Sequence, residues 1–222
     1  MTPPPTALIL DFGGVISRTM FETHDVTERA LGLPPGTLTW RGPFDPGMDA
    51  LWATMQAGAI SERDYWLTRT RETGALIGER WERMEEFVKR ARGADPAAVI
   101  RPEADRAIRL AKAQGLKLGI LSNELDLFYG AEMRQTLPLL NLFDTIVDAT
   151  HTRILKPDAR AYAQVAHELG VTAAQSVFVD DQARNVDGAI AAGMIAVAFD
   201  VRAPAKSDAQ ALAHFGLEMP AP

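Results

Sequence analysis

Apolar and polar positions follow a regular pattern along the second half of the chain, typical of repeated strand and helix units. Short apolar runs bounded by Gly, Pro or Asp predict strands, and apolar positions three or four residues apart predict the helices between them. From residue 101 onward, the predicted strands are Leu116–Leu121, Phe143–Val147, Ser176–Val179 and Ile195–Phe199. Because alternating strands and helices pack as parallel sheets, this pattern indicates an α/β fold.

The helices predicted around these strands have recognisable ends. Gly115 and Gly170 each follow a predicted helix, where the left-handed conformation that glycine tolerates commonly ends helices. The predicted helices lie near Pro102–Gln114, Glu124–Thr136, Asp158–Leu169, Ala183–Ala192 and Asp208–Phe215. We therefore expect a Rossmann-like parallel sheet with helices on both faces.

A further short apolar run precedes this region and is separated from it by a long helical segment. The run Ala7–Leu10 predicts a strand that stops at Asp11 and a glycine-rich turn. Residues 16–98 contain no convincing strand and several helical stretches. The sequence thus predicts an α/β core domain formed by residues 1–15 and 99–222, with an all-helical domain inserted between its two parts.

Composition and charge narrow the class of protein. A chain of 222 residues suits one large domain or a domain with an inserted partner. Its 47% hydrophobic and 23% charged residues are typical of globular proteins, which excludes a mainly disordered chain. The formal net charge of −6 disfavours a nucleic-acid-binding protein, because such a protein needs a basic face.

The absence of cysteine and the character of the N-terminal region bear on location. Without cysteine, the chain has no disulfides, thiolate zinc sites or cysteine nucleophile. The N-terminal apolar run is too short for a signal peptide or a membrane span. We expect a cytoplasmic protein that acts on a small molecule as a monomer or homodimer, with neither nucleic acid nor membrane as a partner.

Polar side chains stand where three of the predicted strands end. These are Asp11, the pair Ser122 and Asn123, and the pair Asp180 and Asp181. In open parallel sheets, ligands bind beyond the carboxyl ends of the strands, at the point where the strand order reverses. If the first and fourth strands of the core are neighbours, the three aspartates meet in one crevice.

Three carboxylates in one crevice repel one another unless a hard divalent cation neutralises them. Mg²⁺ is commonly held by one or two carboxylates together with substrate phosphate. Ser122 and Asn123, at the start of a helix, could hold anionic oxygens, and Lys156 could supply a fixed positive charge. Each signal alone is weak, since a Ser-Asn turn is often a helix cap, but their combined placement indicates phosphate chemistry.

Four segments then match a known pattern in order: DFGGV at Asp11–Val15, LSN at Leu121–Asn123, KPD at Lys156–Asp158, and VFVDDQARNVDGAIAAGM at Val177–Met194. Together they resemble the motifs of the haloacid dehalogenase-like (HAD) superfamily of hydrolases. The helical insertion after the first motif is similar to the C1 cap of subfamily I of that superfamily. The resemblance covers nearly the whole chain.

The resemblance implies a covalent mechanism in which Asp11 attacks phosphorus and forms an aspartyl-phosphate, which water then hydrolyses. It implies Mg²⁺ as cofactor, with four ligands: the Asp11 carboxylate, the Gly13 carbonyl oxygen, Asp180 and Asp181. The groups implied to hold the phosphoryl oxygens are Ser122, the Asn123 backbone, Gly14 and Lys156, the last also counted as catalytic.

One position departs from the family pattern. Phosphatases of the superfamily usually carry a second Asp two residues after the nucleophile, where it protonates the leaving group; here that position is Gly13. General acid–base catalysis is typically worth about 10²–10⁴ in rate, so acidic leaving groups should be favoured.

Candidate replacements for the acid are Arg18, His24 and Asp45. Candidates for substrate contact, although core packing is commoner for such aromatic residues, are Trp40, Arg41, Phe44 and Trp52.

Two other functions compete with the phosphatase hypothesis. Dehalogenases of the superfamily displace halide from 2-haloacids without metal, and they also lack the second Asp. They place a Tyr where Gly13 stands, however, and do not need the acidic pair Asp180 and Asp181. A catalytically impaired member that binds a phosphorylated ligand is the other alternative. A receiver-type signalling domain fits less well, because it lacks a helical insertion of this size.

Overall fold

The computed structural model describes residues 4–91, 96–130 and 132–219. Within them the chain forms two compact units. One, here called the sheet unit, is drawn from residues 4–18, 99–126 and 132–219. The other, here called the helical unit, is drawn from residues 19–91, 96–98 and 127–130. The segment 127–130, which the sequence pattern grouped with the core, therefore packs with the helical unit.

The sheet unit contains a parallel sheet. Its strands are β1 (Ala7–Leu10), β2 (Lys117–Ser122), β3 (Thr145–Asp148), β4 (Ser176–Asp180) and β5 (Ile195–Ala198). Among the described residues the strand order is β3-β2-β1-β4-β5, and every pairing is parallel. The predicted α/β class is thus confirmed. Because β1 lies between β2 and β4, the strand order reverses beside it.

Helices make up most of the remaining structure. In chain order they are α1 (His24–Leu31), α2 (Ala50–Gln56), α3 (Glu62–Leu76), α4 (Met84–Ala91), α5 (Pro102–Ala113), α6 (Leu125–Tyr129), α7 (Met133–Thr136), α8 (Ala149–Thr152), α9 (Ala159–Leu169), α10 (Ala183–Ala191) and α11 (Pro204–Ala213). Short 3₁₀ turns lie at Phe21–Thr23, Gly42–Phe44, Pro46–Met48, Pro96–Val99, Pro138–Leu142 and Ala173–Gln175. Within the described ranges, none of the helices combines the length and apolar character needed to cross a membrane.

Two of the predicted helices differ from the structure for local reasons. The helix predicted over Glu124–Thr136 is divided into α6 and α7, with Gly130 at a φ of 77° after the first part. A positive φ ends an α-helix, and Ala131 lies outside the described residues. The last helix begins at Pro204 instead of Asp208, because proline suits the first turn of a helix.

Helices cover both faces of the sheet. One face presents Ile9, Leu121, Val147 and Phe178, which form a buried cluster with side chains of α9 and α10. Gly119 permits close packing there, since a Cβ would lie 3.0 Å from Leu169 Cδ1. On the opposite face α5 contacts β2, α11 contacts β5, and the two helices pack together. The helices thus lie against the faces of the sheet, and the candidate site described below lies at the carboxyl ends of the strands.

The helical unit has an aromatic core built around a buried carboxylate. Asp49 Oδ2 accepts hydrogen bonds from the Tyr65 hydroxyl (2.7 Å) and the Gly42 backbone N–H (3.1 Å), while Oδ1 pairs with Arg69. Trp40 and Trp52, two candidates for substrate contact, are buried in this core, whereas Phe44 is partly exposed. Packing therefore accounts for the two tryptophans.

His24 lies within the same core and is only 6% exposed. Its ring meets Trp40 edge-on, with 4.1 Å between ring centroids. Burial, aided by the positive charge of Arg41, lowers the pKa of His24 to about 4, although Glu28 and Asp49 act in the opposite direction. A neutral, enclosed imidazole is poorly suited to replace the missing acid, in contrast to the exposed Arg18 and Asp45.

The low pKa of His24 predicts a pH-dependent stability of the helical unit. Between pH 6.5 and 4 the His24 imidazole takes up a proton in the unfolded chain but not in the folded chain. The free energy of unfolding should therefore decrease as the pH falls through that window. The loss should approach about 3 kcal/mol, at about 1.4 kcal/mol per pKa unit. Urea unfolding followed by tryptophan fluorescence reports on this unit, which holds all four tryptophans.

His24→Gln should remove this part of the pH dependence, whereas the exposed His167→Gln, in the sheet unit, should leave it unchanged. Identical stability–pH slopes for wild type and His24→Gln between pH 4 and 6.5 would show that His24 does not bear the effect.

Candidate active site

The carboxyl ends of β1 and β4 bring three predicted site residues together. Leu10 pairs with Val179, and the Asp11 N–H donates a hydrogen bond to the Val179 carbonyl (2.9 Å), so Asp11 and Asp180 continue adjacent strands. Each of Asp11, Asp180 and Asp181 offers one carboxylate oxygen within 4.8 Å of the others. The condition stated from the sequence for the three aspartates to meet, that the first and fourth strands are neighbours, is fulfilled.

Lys156 joins two of these carboxylates. Its Nζ donates to Asp11 Oδ1 and to Asp180 Oδ2, both at 2.7 Å, and the residue is only 4% exposed. Burial disfavours the ammonium form, but the charges of Asp11 and Asp180 outweigh it and raise the pKa of Lys156 above its usual value. Lys156 is therefore a fixed cation between two of the three carboxylates.

Asn123 holds Lys156 in place through the lysine backbone. The Asn123 Oδ1 accepts from the Lys156 N–H (2.7 Å), and Asn123 Nδ2 donates to the Lys156 carbonyl (3.2 Å). The side chain of Asn123 is thus engaged, which leaves its backbone as the group for substrate. Ser122 Oγ accepts from the Glu124 N–H at 3.3 Å. Phosphate binding by Ser122 and Asn123 stays a prediction.

A residue without a predicted role completes the support of Asp180. Asn185, in the first turn of α10, donates from Nδ2 to Asp180 Oδ1 (3.0 Å) and Oδ2 (3.1 Å). The Gln182 N–H adds a bond to Oδ1 (2.9 Å), and the Tyr162 hydroxyl donates to the Asn185 carbonyl (2.7 Å). The sequence feature that could have indicated this role for Asn185 is its position, five residues after the aspartate at the end of a predicted strand.

The two glycines after the nucleophile position differ in what they allow. At Gly14 φ is 85°, and a Cβ would lie 2.6 Å from Asp181 Oδ2, so any side chain there would displace that carboxylate. At Gly13 a Cβ would meet nothing within 4 Å, and the residue is exposed. The backbone therefore leaves open space for a Cβ at position 13, where the sequence has no side chain.

The donor set of the aspartate cluster fits a hard divalent cation. All its ligand atoms are carboxylate oxygens, the type that Mg²⁺ prefers over nitrogen or sulfur donors. Gly13, whose carbonyl is an expected fourth ligand, directly precedes the glycine that packs against Asp181.

A second group of possible ligand atoms lies at the end of β3, where histidine spacing gave no metal signal. It consists of Asp126, Asp148 and His151. Asp148 accepts from the N–H groups of Asp126 (2.8 Å) and Thr150 (2.9 Å), and His151 Nε2 lies 2.6 Å from Asp126 Oδ2. Helix capping and this pair explain the three residues without a metal.

Comparison with known proteins agrees with this geometry. A family model described as haloacid dehalogenase-like hydrolase matches residues 5–193. The phosphatase MT3486 of Mycobacterium tuberculosis (strain CDC 1551 / Oshkosh) is 31% identical over 199 residues, which covers 88% of this chain and 87% of that protein. The (S)-2-haloacid dehalogenase of Xanthobacter autotrophicus is 32% identical over 188 residues, covering 77% of this chain and 67% of that protein.

Solved structures give the same relationship. The L-2-haloacid dehalogenase structure from Xanthobacter autotrophicus superposes with a TM-score of 0.56 at 26% identity, and the match covers 88% of this chain and 77% of that chain. With the family model spanning most of the sequence, and both a phosphatase and a dehalogenase among its relatives, the chain belongs to the haloacid dehalogenase-like hydrolases.

Proposed function

We propose that this hydrolase is a Mg²⁺-dependent phosphatase that acts on a small phosphorylated metabolite through an aspartyl-phosphate on Asp11. The observation that carries the proposal is the cluster of Asp11, Asp180 and Asp181 around the buried Lys156. All three carboxylates offer oxygen atoms close enough together to hold one hard divalent cation. A metal-free displacement of halide needs no such set of oxygen ligands, whereas a cation-assisted phosphoryl transfer uses it.

The reaction would proceed in two displacements on phosphorus. A carboxylate oxygen of Asp11 forms a bond to phosphorus as the bond to the leaving oxygen breaks, and water then cleaves the resulting acyl phosphate. Lys156 fixes the orientation of Asp11 through Oδ1. When bound, Mg²⁺ would be held by Asp11, the Gly13 carbonyl, Asp180 and Asp181, and would reduce the charge on the phosphoryl oxygens.

The phosphoryl oxygens would meet a small set of donors from this chain. Those proposed are the Ser122 hydroxyl, the backbone of Asn123 and Gly14, and the ammonium of Lys156. With Gly13 in place of an acid, the first displacement lacks a proton donor at that position. We therefore propose a substrate whose leaving group is acidic, such as a sugar 1-phosphate or an acyl phosphate. A cytoplasmic location, proposed from the absence of cysteine, would supply such metabolites.

Replacement of the nucleophile tests the mechanism. Wild-type protein should release phosphate from members of a metabolite panel with Mg²⁺ and not with EDTA. Asp11→Asn should lower that release by about 10³-fold or more, because an amide cannot form the acyl phosphate. Asp25→Asn, an equivalent change at an exposed salt bridge with Arg29, is the control and should leave the rate unchanged. Equal rates for Asp11→Asn and wild type would rule out Asp11 as the nucleophile.

The open space at Gly13 allows the missing acid to be restored. For wild type, kcat/KM should fall steeply as the pKa of the leaving group rises. Gly13→Asp should flatten this dependence and raise the rate for alkyl phosphates by about 10²-fold, because the carboxyl group can protonate the leaving oxygen. Gly13→Asn, which has the same size and no acid, should keep the steep dependence. A flat plot for wild type would mean that another residue donates the proton.

Dehalogenation is the second candidate, and it is favoured by two observations. The chain is 32% identical to a 2-haloacid dehalogenase, and it lacks an acid at position 13. Chloride release from L-2-chloropropionate in EDTA distinguishes the two reactions. We expect none from this protein; release that persists in EDTA and disappears in Asp11→Asn would favour the dehalogenase. Phosphate-mimic binding without either activity would favour a ligand-binding role.

A further inference from the structure

Arg101 is a buried cation that the proposed mechanism does not use. It is 2% exposed, and it precedes Pro102, the first residue of α5. Its Nε donates a hydrogen bond of 2.9 Å to the carbonyl oxygen of Gly14, although the two residues are 87 positions apart in sequence. A buried guanidinium is costly to desolvate, and this one donates a hydrogen bond to the backbone of the nucleophile loop.

The backbone around Arg101 also contacts the nucleophile loop, here defined as residues 11–18. The Arg101 N–H donates to the Ile16 carbonyl (2.9 Å), and the Arg18 N–H donates to the Val99 carbonyl (2.7 Å). Between these bonds, Ser17 forms an antiparallel bridge with Ile100. Residues 99–101 thus hold the end of the loop through the main chain, while the Arg101 side chain reaches its glycine turn.

The Gly14 peptide connects this contact to the proposed metal ligands. Gly14 lies so close to Asp181 that a Cβ would be 2.6 Å from Asp181 Oδ2. A shift of the Gly14 peptide toward Asp181 would therefore push that carboxylate, and it would move the neighbouring Gly13 carbonyl at the same time. The Arg101 guanidinium, which is itself packed 5.6 Å from the centre of the Phe199 ring, opposes such a shift.

We propose that Arg101 is a positioning residue that fixes the Gly14 peptide, and through it the Gly13 carbonyl and the Asp181 carboxylate, in the arrangement that binds the divalent cation. This inference rests on the proposed function. Residues that orient metal ligands typically contribute 10- to 100-fold in metal affinity or activity. Arg101 is not a catalytic residue in this proposal, because it acts on the reacting groups only through the loop.

The test compares three variants. Arg101→Met keeps much of the length and removes the charge and the Nε donor. Arg101→Lys keeps a cation one bond beyond the position of Nε. Arg109→Met is the control, since Arg109 lies exposed on α5, the helix that follows Arg101, where it pairs with Asp105. Each purified full-length variant is assayed for Mg²⁺ affinity by calorimetry, for kcat and KM, and for amide hydrogen exchange of the nucleophile loop, at a temperature where all are folded.

For Arg101→Met we expect amide exchange of the nucleophile loop to be about tenfold faster, while β4 and β5 keep their protection. The Mg²⁺ dissociation constant should rise about tenfold or more and kcat should fall by a similar factor, with little change in KM. Arg101→Lys should recover part of both losses, and Arg109→Met should match wild type. A purely structural role would lower the melting temperature of Arg101→Met without changing its Mg²⁺ affinity.

Unchanged loop exchange, or unchanged Mg²⁺ affinity, in Arg101→Met would overturn the inference. Failure of the proposed function is recognised separately, because it would appear in wild type as an absence of Mg²⁺ binding and phosphate release. In that case the proposed role of Arg101 in cation binding is also wrong, whereas the hydrogen-exchange measurement still decides whether Arg101 fixes the nucleophile loop.

Discussion

The contact between the Lys156 ammonium and the carboxylates of Asp11 and Asp180 is the interaction on which the site depends. Two carboxylates at neighbouring strand ends would repel each other and favour protonation if no positive charge lay between them. The buried ammonium offsets this repulsion and fixes the orientation of both carboxylates through hydrogen bonds. Asp181 adds a third carboxylate within 4.8 Å of the other two, and this set of oxygen atoms is the basis for proposing a divalent cation at the site.

The sheet topology creates the conditions for this contact. Because β1 lies between β2 and β4, the residues that follow these three strands gather at one edge of the sheet. Short-range hydrogen bonds then refine the arrangement: Asn123 holds the backbone of Lys156, and Asn185 holds the carboxylate of Asp180. Lys156 and Asp180 are thus each fixed by a neutral amide side chain from a neighbouring strand end or helix. The helical unit is stabilised differently, by aromatic packing around Asp49.

The sequence was sufficient to predict the parallel sheet, because buried strands and amphipathic helices leave distinct periodic patterns. It also indicated Asp11, Asp180 and Asp181, which strand ends and family motifs both mark, and Lys156, which the KPD motif marks. The sequence did not predict the contacts between individual side chains. The hydrogen bond between Asn123 and Lys156 joins residues 33 positions apart, and that between Arg101 and Gly14 joins residues 87 positions apart, so no local pattern encodes them. The break in the helix at Gly130 was missed because a glycine in an otherwise helical pattern is ambiguous.

Phosphorylation of Asp11 itself tests the central claim most directly. The protein would be mixed with acetyl phosphate, a phosphoryl donor whose leaving group is acidic. The reaction would be quenched during turnover, and the protein would be digested for mass spectrometry. The account predicts that the peptide containing Asp11 gains one phosphoryl group in Mg²⁺ and none in EDTA. A peptide that stays unmodified in Mg²⁺, while L-2-chloropropionate forms an ester with Asp11 in EDTA, would contradict it.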